Sequence, residues 1–216
     1  MAVDLLADLE AGARELGLYL SPEQSARLLK YLALLSQWGR VYNLTAIRDP
    51  QEGLTQHLLD CLAVIPPLRT HRPQGGRLLD VGSGAGLPGV VIAVVCPEWQ
   101  VTCVDTVAKK MAFVQQAAGQ LGLTGFSAVH ARVESLPGPF DVITARAFAA
   151  LPDLVSWSAQ ALAPEGVWMA MKGRDPVDER TALPSSIDVF HVEPLRVPGL
   201  VAERCLVWMR PRAAVT

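Results

Sequence analysis

The residues best suited to chemistry are Asp80-Val81-Gly82-Ser83-Gly84-Ala85-Gly86-Leu87-Pro88-Gly89, where an apolar run closes on a carboxylate, breaks into alternating glycines and resumes as a second apolar run. That order spells strand, tight turn and helix. Glycine serves where backbone turns with positive φ, or where a ligand lies against the chain with no Cβ in the way. A helix from Leu87 to about Val95 would aim its unpaired N–H groups at whatever rests on the loop, with Pro88 in the first turn, where no N–H is required. Gly82, Ser83, Gly84 and Gly86 thus read as the cradle of a nucleotide cofactor.

Two registers fit. Gly84-x-Gly86-x-x-Gly89 matches a dinucleotide fingerprint, in which a helix N-terminus holds a pyrophosphate. Read from Asp80, the same residues are Asp-x-Gly-x-Gly-x-Gly, with a carboxylate facing the loop. A carboxylate there repels pyrophosphate and suits the amino group and sulfonium of S-adenosylmethionine, so this register is favoured. The next apolar run, Gln100 to Asp105, also ends in an acid, about twenty residues on, where a carboxylate can take both ribose hydroxyls. Asp105 serves either cofactor, and can cap a helix over Val107 to Leu121 as well.

These groups need a scaffold, and from Arg77 onward strand and helix patterns alternate, which implies a parallel sheet with crossover helices. Strands are expected at Arg77–Val81, Gln100–Asp105, Phe126–His130, Phe140–Thr144 and Gly166–Met171, with helices at Leu87–Val95, Val107–Leu121 and about Leu151–Leu162. The polar stretch from Arg174 to Pro184 reads as a loop. Ile187–Val192 and Arg204–Arg210 follow with no helix between them, and should pair as an antiparallel hairpin at the sheet edge. Upstream, apolar residues at helical spacing between residues 3 and 16 mark one helix. Ser21-Pro22-Glu23-Gln24 opens a second that runs to about Trp38, and a third spans about Asp49 to Ile65, ending at Pro66-Pro67. The division expected is an N-terminal helical cap, 1–70, on an α/β domain, 71–216, in one compact unit. An alternating parallel sheet closed by an antiparallel hairpin resembles the class I S-adenosylmethionine-dependent methyltransferase (Rossmann-like) fold. A dehydrogenase would need a second nucleotide-binding half or a substrate domain, for which the 216 residues leave no room.

Bulk properties narrow the setting. Half of the residues are hydrophobic, enough for one substantial core, yet the longest apolar run, Val90 to Cys96, is far short of the roughly 18 needed to span a bilayer. Acids rather than bases follow Met1, so a cytoplasmic protein without a membrane role is expected. Cys61, Cys96, Cys103 and Cys205 form no C-x-x-C pair, and the four histidines show no metal-ligand spacing; no bound metal is expected. A net charge of −2 offers no global attraction to nucleic acid, so a polyanion would have to be met by a local basic face.

Further motifs make the likeness narrower. Trp38 with Tyr42-Asn43-Leu44-Thr45, His57-x-x-Asp60, the glycine loop, Lys109-Lys110 with Phe113, Arg132-Val133-Glu134, Arg146-Ala147-Phe148 and Met171-Lys172-Gly173 occur in an order that covers nearly the whole chain. In this the chain resembles the RsmG family, also called glucose-inhibited division protein B: small-subunit ribosomal RNA guanine-N7 methyltransferases. Cys61 stands where that family usually has serine. The resemblance implies methyl transfer from S-adenosylmethionine to N7 of a guanine in the decoding-region loop of small-subunit ribosomal RNA. The weak net charge adds the expectation of a ribosomal particle as the setting, and a monomer is expected. The resemblance further implies that Gly82 and Leu87 touch the methionine and ribose side of the cofactor, and that Val133 and Glu134 flank the adenine.

Guanine N7 carries an unprotonated lone pair at neutral pH, so its methylation needs no general base, only alignment. The chain lacks the Asp/Asn-Pro-Pro-aromatic segment typical of exocyclic-amine methylation, having Thr144-Ala145-Arg146-Ala147-Phe148 there. No cysteine sits at that strand end for carbon-5 chemistry. Arg146, on the carboxyl edge, could hold a phosphate, the guanine O6 edge or the cofactor carboxylate, or make a plain salt bridge. Phe148 could stack on a base or sit in the core. Asn43, His57 and Asp60 fall in the cap; His57 and Asp60 share a helix face, and the resemblance favours a role in closing over the cofactor or orienting the guanine. Arg40, Lys109, Lys110, Lys172 and Arg174 are candidate phosphate contacts, against a reading as solvated surface.

Overall fold

The computed structural model describes residues 4–42 and 44–212, with backbone alone for 40–42. Two helices open the chain, α1 (Leu5–Glu15) and α2 (Pro22–Tyr42). The capping box forms as the sequence implies, Gln24 N–H donating to Ser21 Oγ at 3.1 Å and Ser21 N–H to Gln24 Oε1 at 2.9 Å. Next come α3 (Pro50–Gly53), a π-helical segment Leu54–Leu59 and α4 (Asp60–Leu62). The expected single helix is therefore interrupted: the leucines at 54, 58, 59 and 62 satisfy α and π spacing alike. Pro66 and Pro67 do not end it either. They open a separate helix, α5 (Ile65–His71), whose first turn needs no N–H.

Beyond this run β1 (Gly76–Val81), α6 (Gly89–Val95), β2 (Trp99–Asp105), α7 (Ala108–Leu121), β3 (Phe126–His130), β4 (Phe140–Arg146), α8 (Leu151–Ser158) and β5 (Leu162–Lys172). The stretch expected as loop contains a short helix, α9 (Val177–Thr181), where polar residues conceal a helical turn that buries nothing. Strands β6 (Ile187–Leu195) and β7 (Arg204–Pro211) close the chain. The sheet order is β3-β2-β1-β4-β5-β7-β6. The first five strands are parallel, β7 is antiparallel to β5, and β6 pairs antiparallel to β7 at the edge. This is the expected α/β fold, with β7 inserted inside its hairpin partner.

Each face of the sheet carries a core. One packs α8 against Leu79, Ile143, Trp168 and Val207. The other joins Leu9, Leu28, Tyr31 and Leu58 of the N-terminal helices to Val91 of α6, Phe113 of α7 and Trp208 of β7. The N-terminal helices thus complete a helical layer over the sheet. The chain changes direction between β1 and its neighbours β2 and β4, which leaves a crevice at the carboxyl ends of these strands.

Candidate functional site

Four strand ends meet at that crevice: Val81, Asp105, Arg146 and Lys172 each close a strand. The glycine loop crosses it. Gly84, at φ +59°, has open space where a Cβ would stand, and its N–H donates to Asp105 Oδ2 at 3.0 Å. Asp105 Oδ1 accepts from Val107 N–H at 2.9 Å, but α7 begins at Ala108 with no side-chain cap, so this carboxylate holds the loop and the turn before the helix and does not cap it as expected. A carboxylate has about four lone-pair sites, so Asp105 keeps acceptor capacity beyond these two bonds. From the other side, Tyr31 of α2 donates its hydroxyl to the Ala85 carbonyl at 2.8 Å. A tyrosine among the leucines of an amphipathic helix was the only sequence signal of that tie.

Asp80 is placed differently from the sequence expectation. It is fully buried beneath the loop and lines neither crevice cavity. Its Oδ2 accepts the Gly89 N–H at 2.8 Å, so it fastens α6 to β1 instead of facing a ligand. A Cβ at residue 89 would lie 2.4 Å from Cys103 Sγ, hence glycine at this close approach. Oδ1 has no partner, and burial pushes the Asp80 carboxyl up to about 7 despite the Gly89 N–H and the Arg146 charge. The helix itself begins at Gly89, not Leu87, with Pro88 just outside it.

Two cavities share the crevice and meet at Gly82, Lys110 and Ala147. The first, of about 450 Å³, runs past Asp105 to Val133 and Glu134, with Phe148 and Trp157 as its other wall. The Phe148 ring lies directly on Gly82 and meets Trp157 edge-on at 5.8 Å. Glu134 pairs with Arg132 at 2.8 Å, its side chain about a third exposed. Hydrogen bonding to Arg132 lowers the Glu134 pKa.

The second cavity, of about 420 Å³, is lined by Ser83, Leu87, His57, Asp60, Arg146 and Arg204 among others. Its centre is a buried carboxylate held by two guanidinium groups. Asp60, 2% exposed, accepts from Arg146 Nη1 at 3.0 Å on Oδ2 and from Arg204 Nε at 2.8 Å on Oδ1. Arg146 Nη1 also donates to the Gln56 carbonyl of the π segment at 3.0 Å. Burial works against the Arg146 charge, yet Cys61 when ionised and the Asp60 carboxylate hold its pKa above the ordinary value. His57, on the same π segment, places Nε2 2.9 Å from Thr45 Oγ1 and leaves Nδ1 without a partner. Burial, then the Arg146 charge, brings His57 down to about 4, so at neutral pH it is an uncharged imidazole. A π turn re-aims side chains that an α turn would carry past the cavity, a frequent device at functional sites. Ala147, just past Arg146, takes a left-handed φ of +51°, strain that directs Arg146 and Phe148 into different cavities.

The crevice brings together Gly82, Ser83, Gly84, Leu87, Asp105, Val133, Glu134, His57, Asp60 and Arg146. Gly86 packs inward against Val90 and Val114. Of the basic candidates, Lys110 lies in the crevice itself, 3.7 Å from Asp105. Lys172 is held at its rim by Glu179 at 2.7 Å and the Ala149 carbonyl at 2.8 Å. Lys109 is exposed, and Arg174 lines a neighbouring cavity with Arg180 and Arg204. Asn43 and the Arg40 side chain lie outside the described residues. Arg204 and Trp157 were not anticipated: Arg204 is 144 residues from its carboxylate, and nothing in its local pattern marks it.

Comparison with known proteins bears on this geometry. The profile of a family described as GidB, rRNA small subunit methyltransferase G, matches residues 24–207. A protein named ribosomal RNA small subunit methyltransferase G from Acidovorax ebreus is 64% identical over 214 residues, covering 95% of each chain. One of the same name from Methylibium petroleiphilum is 62% identical over 207 residues, covering 95% of this chain and 94% of the relative. Among solved structures, the N-methyltransferase NodS from Bradyrhizobium japonicum with S-adenosyl-L-homocysteine superposes with a TM-score of 0.59 at 15% identity, over 84% of this chain and 98% of that one. TrmN from Thermus thermophilus does so with 0.56 at 18%, over 74% and 53%. At such identities these two speak for the fold alone.

Proposed function

The chain belongs to the rRNA small subunit methyltransferase G family, and from that premise we propose that it transfers the methyl group of S-adenosylmethionine to N7 of a guanine in the decoding-region loop of small-subunit ribosomal RNA. The observation that carries the reading is the pair of cavities joined over Gly82. One offers a carboxylate, two small-residue turns and aromatic walls, a fit for adenosine; the other offers a neutral imidazole and two clamped guanidinium groups, a fit for a base and its phosphate. Asp105 would take the ribose hydroxyls, Gly82, Gly84 and Leu87 the methionine side, and Val133 and Glu134 the adenine. The cofactor supplies a methyl group on a positively charged sulfur, open to direct attack by a neutral nitrogen.

The second cavity suits an acceptor that loses no proton. Asp60 directs each oxygen at an arginine, and His57 is too weakly basic at pKa about 4 to act as a general base at neutral pH. The N7 lone pair needs neither: it forms the new bond, and no proton leaves the ring. What remains for the chain is to hold the base in line and keep water out. Arginine donors at guanine O6 would fix the ring while leaving N7 open. The guanine must leave its stack to enter. With a net charge of −2, recognition rests on local basic groups and preformed RNA shape, which favours a ribosomal particle as substrate. Among the described residues no helix is long and apolar enough to cross a membrane.

Calorimetric titration of the chain and of Asp105→Ala with S-adenosylmethionine and NAD tests the cofactor assignment. Binding of S-adenosylmethionine that weakens at least tenfold in the variant is expected. Binding of NAD alone, or of neither, would overturn it, and the second outcome would favour a noncatalytic assembly factor.

A further inference from the structure

A second cluster of ligating side chains lies away from the crevice, on the N-terminal-helix face of the sheet edge. His71 closes α5, while His191 and Glu193 stand two apart on β6 and so share a face. One ligating atom from each lies within 4.8 Å of the other two. His71 Nε2 is 3.8 Å from Glu193 Oε1, and His191 Nε2 is 3.8 Å from Glu193 Oε2. These separations are too long for hydrogen bonds. Each is about 0.4 Å longer than the roughly 3.4 Å between two ligand atoms about 2.0–2.1 Å from a tetrahedral ion, with Glu193 turning a different oxygen to each imidazole.

The surroundings hold the three groups in place. Trp208 Nε1 donates to Glu193 Oε1 at 2.7 Å, an outer contact of the kind that orients a ligating carboxylate. The His71 ring packs on Trp208 with centroids 4.3 Å apart and reaches within 5.7 Å of the His191 ring. Nearby cations are engaged elsewhere: Arg210 pairs with Asp188 at 3.0 Å, and Arg72 donates to the Glu165 carbonyl. The His191 side chain is 46% exposed, which leaves an entry path and a solvent-facing fourth position.

We propose that His71, His191 and Glu193 form a site for a divalent transition-metal ion of the zinc class, which ties α5 to the edge strand β6. Two imidazoles and a carboxylate are borderline ligands that suit zinc, and not the hard oxygen shell of calcium or magnesium. No spacing signal marks the site, because His71 and His191 are brought together only when β6 pairs with β7 beside α5. The ion staples the outermost strand and takes no part in methyl transfer.

Titration of the tag-free full chain with zinc sulfate, read by calorimetry and by melting temperature, tests this. The four cysteines are buried and do not compete in the folded protein. Expected are one site per chain, a melting temperature that rises with zinc, and binding weakened at least tenfold by His191→Ala and by Glu193→Gln but not by His130→Ala. Trp208→Phe should weaken it less while leaving the ligands in place. Absence of binding by the wild type, or equal binding by the wild type and His191→Ala, would overturn the proposal. Because the crevice is not involved, either result is independent of the methyltransferase reading.

Discussion

At the scale of single residues, the site rests on Asp60 and its two arginines. A buried carboxylate is tolerated only when its charge is matched, and removing one partner leaves a charge imperfectly compensated. Arg204→Ala should therefore lower stability by about 2 kcal/mol, with partial recovery in Arg204→Lys; calorimetric melting that shows no change would contradict the clamp. Asp80 and His57 give opposite pH signatures. Asp80 keeps its proton in the fold up to about pH 7, whereas an unfolded aspartate loses it near 4. Between those values the native state binds the extra proton, so stability falls as pH rises, by on the order of 4 kcal/mol. His57 is uncharged in the fold above about pH 4 and charged when unfolded up to about 6.5, so its contribution rises with pH, by about 3 kcal/mol. Urea midpoints should show Asp80→Asn gaining on the wild type as pH rises, and His57→Gln gaining as pH falls; differences flat across pH 4–7 would refute both. Sequence reading marked both residues but could not tell Asp80 from a ligand carboxylate. Its partner, the Gly89 N–H, comes from the same motif and is recognised only once the loop has folded back.

At the scale of elements, the sequence was most legible where period and punctuation agree. Strands β1 to β5 read as apolar runs ending in turns, and their bounds differ from expectation by no more than four residues at either end. It was least legible over 50–62, because a π insertion leaves the leucine spacing almost unchanged while rotating His57 toward the crevice. The same limit hid the tie between α2 and the glycine loop, which depends on one hydroxyl. Tyr31→Phe keeps the ring packed against Phe113, 6.2 Å away, but leaves the Ala85 carbonyl without that donor. The expected cost is about 1 kcal/mol, read as a several-fold weaker affinity for S-adenosylmethionine. Unaltered affinity with lowered stability would mean that the bond supports the helix layer and not the loop.

At the scale of the whole molecule, the N-terminal helices do two jobs with one surface. Leu28, Tyr31 and Leu58 close the core over the sheet, while Thr45, His57 and Asp60 form the roof of the second cavity. The helices α1 and α2 were readable from periodicity and punctuation. Their sharing of a core with α6, α7 and β7 was not, since contacts between distant segments leave no periodic trace. This arrangement puts the second cavity at the seam between the N-terminal helices and the sheet, where the proposed function has a flipped base enter. The most direct test is to incubate the purified protein and S-adenosylmethionine with small subunits from cells that lack it, then map methylated nucleosides in the ribosomal RNA by mass. The account predicts one new N7-methylguanine, in the decoding-region loop, absent when Arg146→Ala replaces the wild type. A methyl group on another atom or another molecule, or none despite tight cofactor binding, would contradict it.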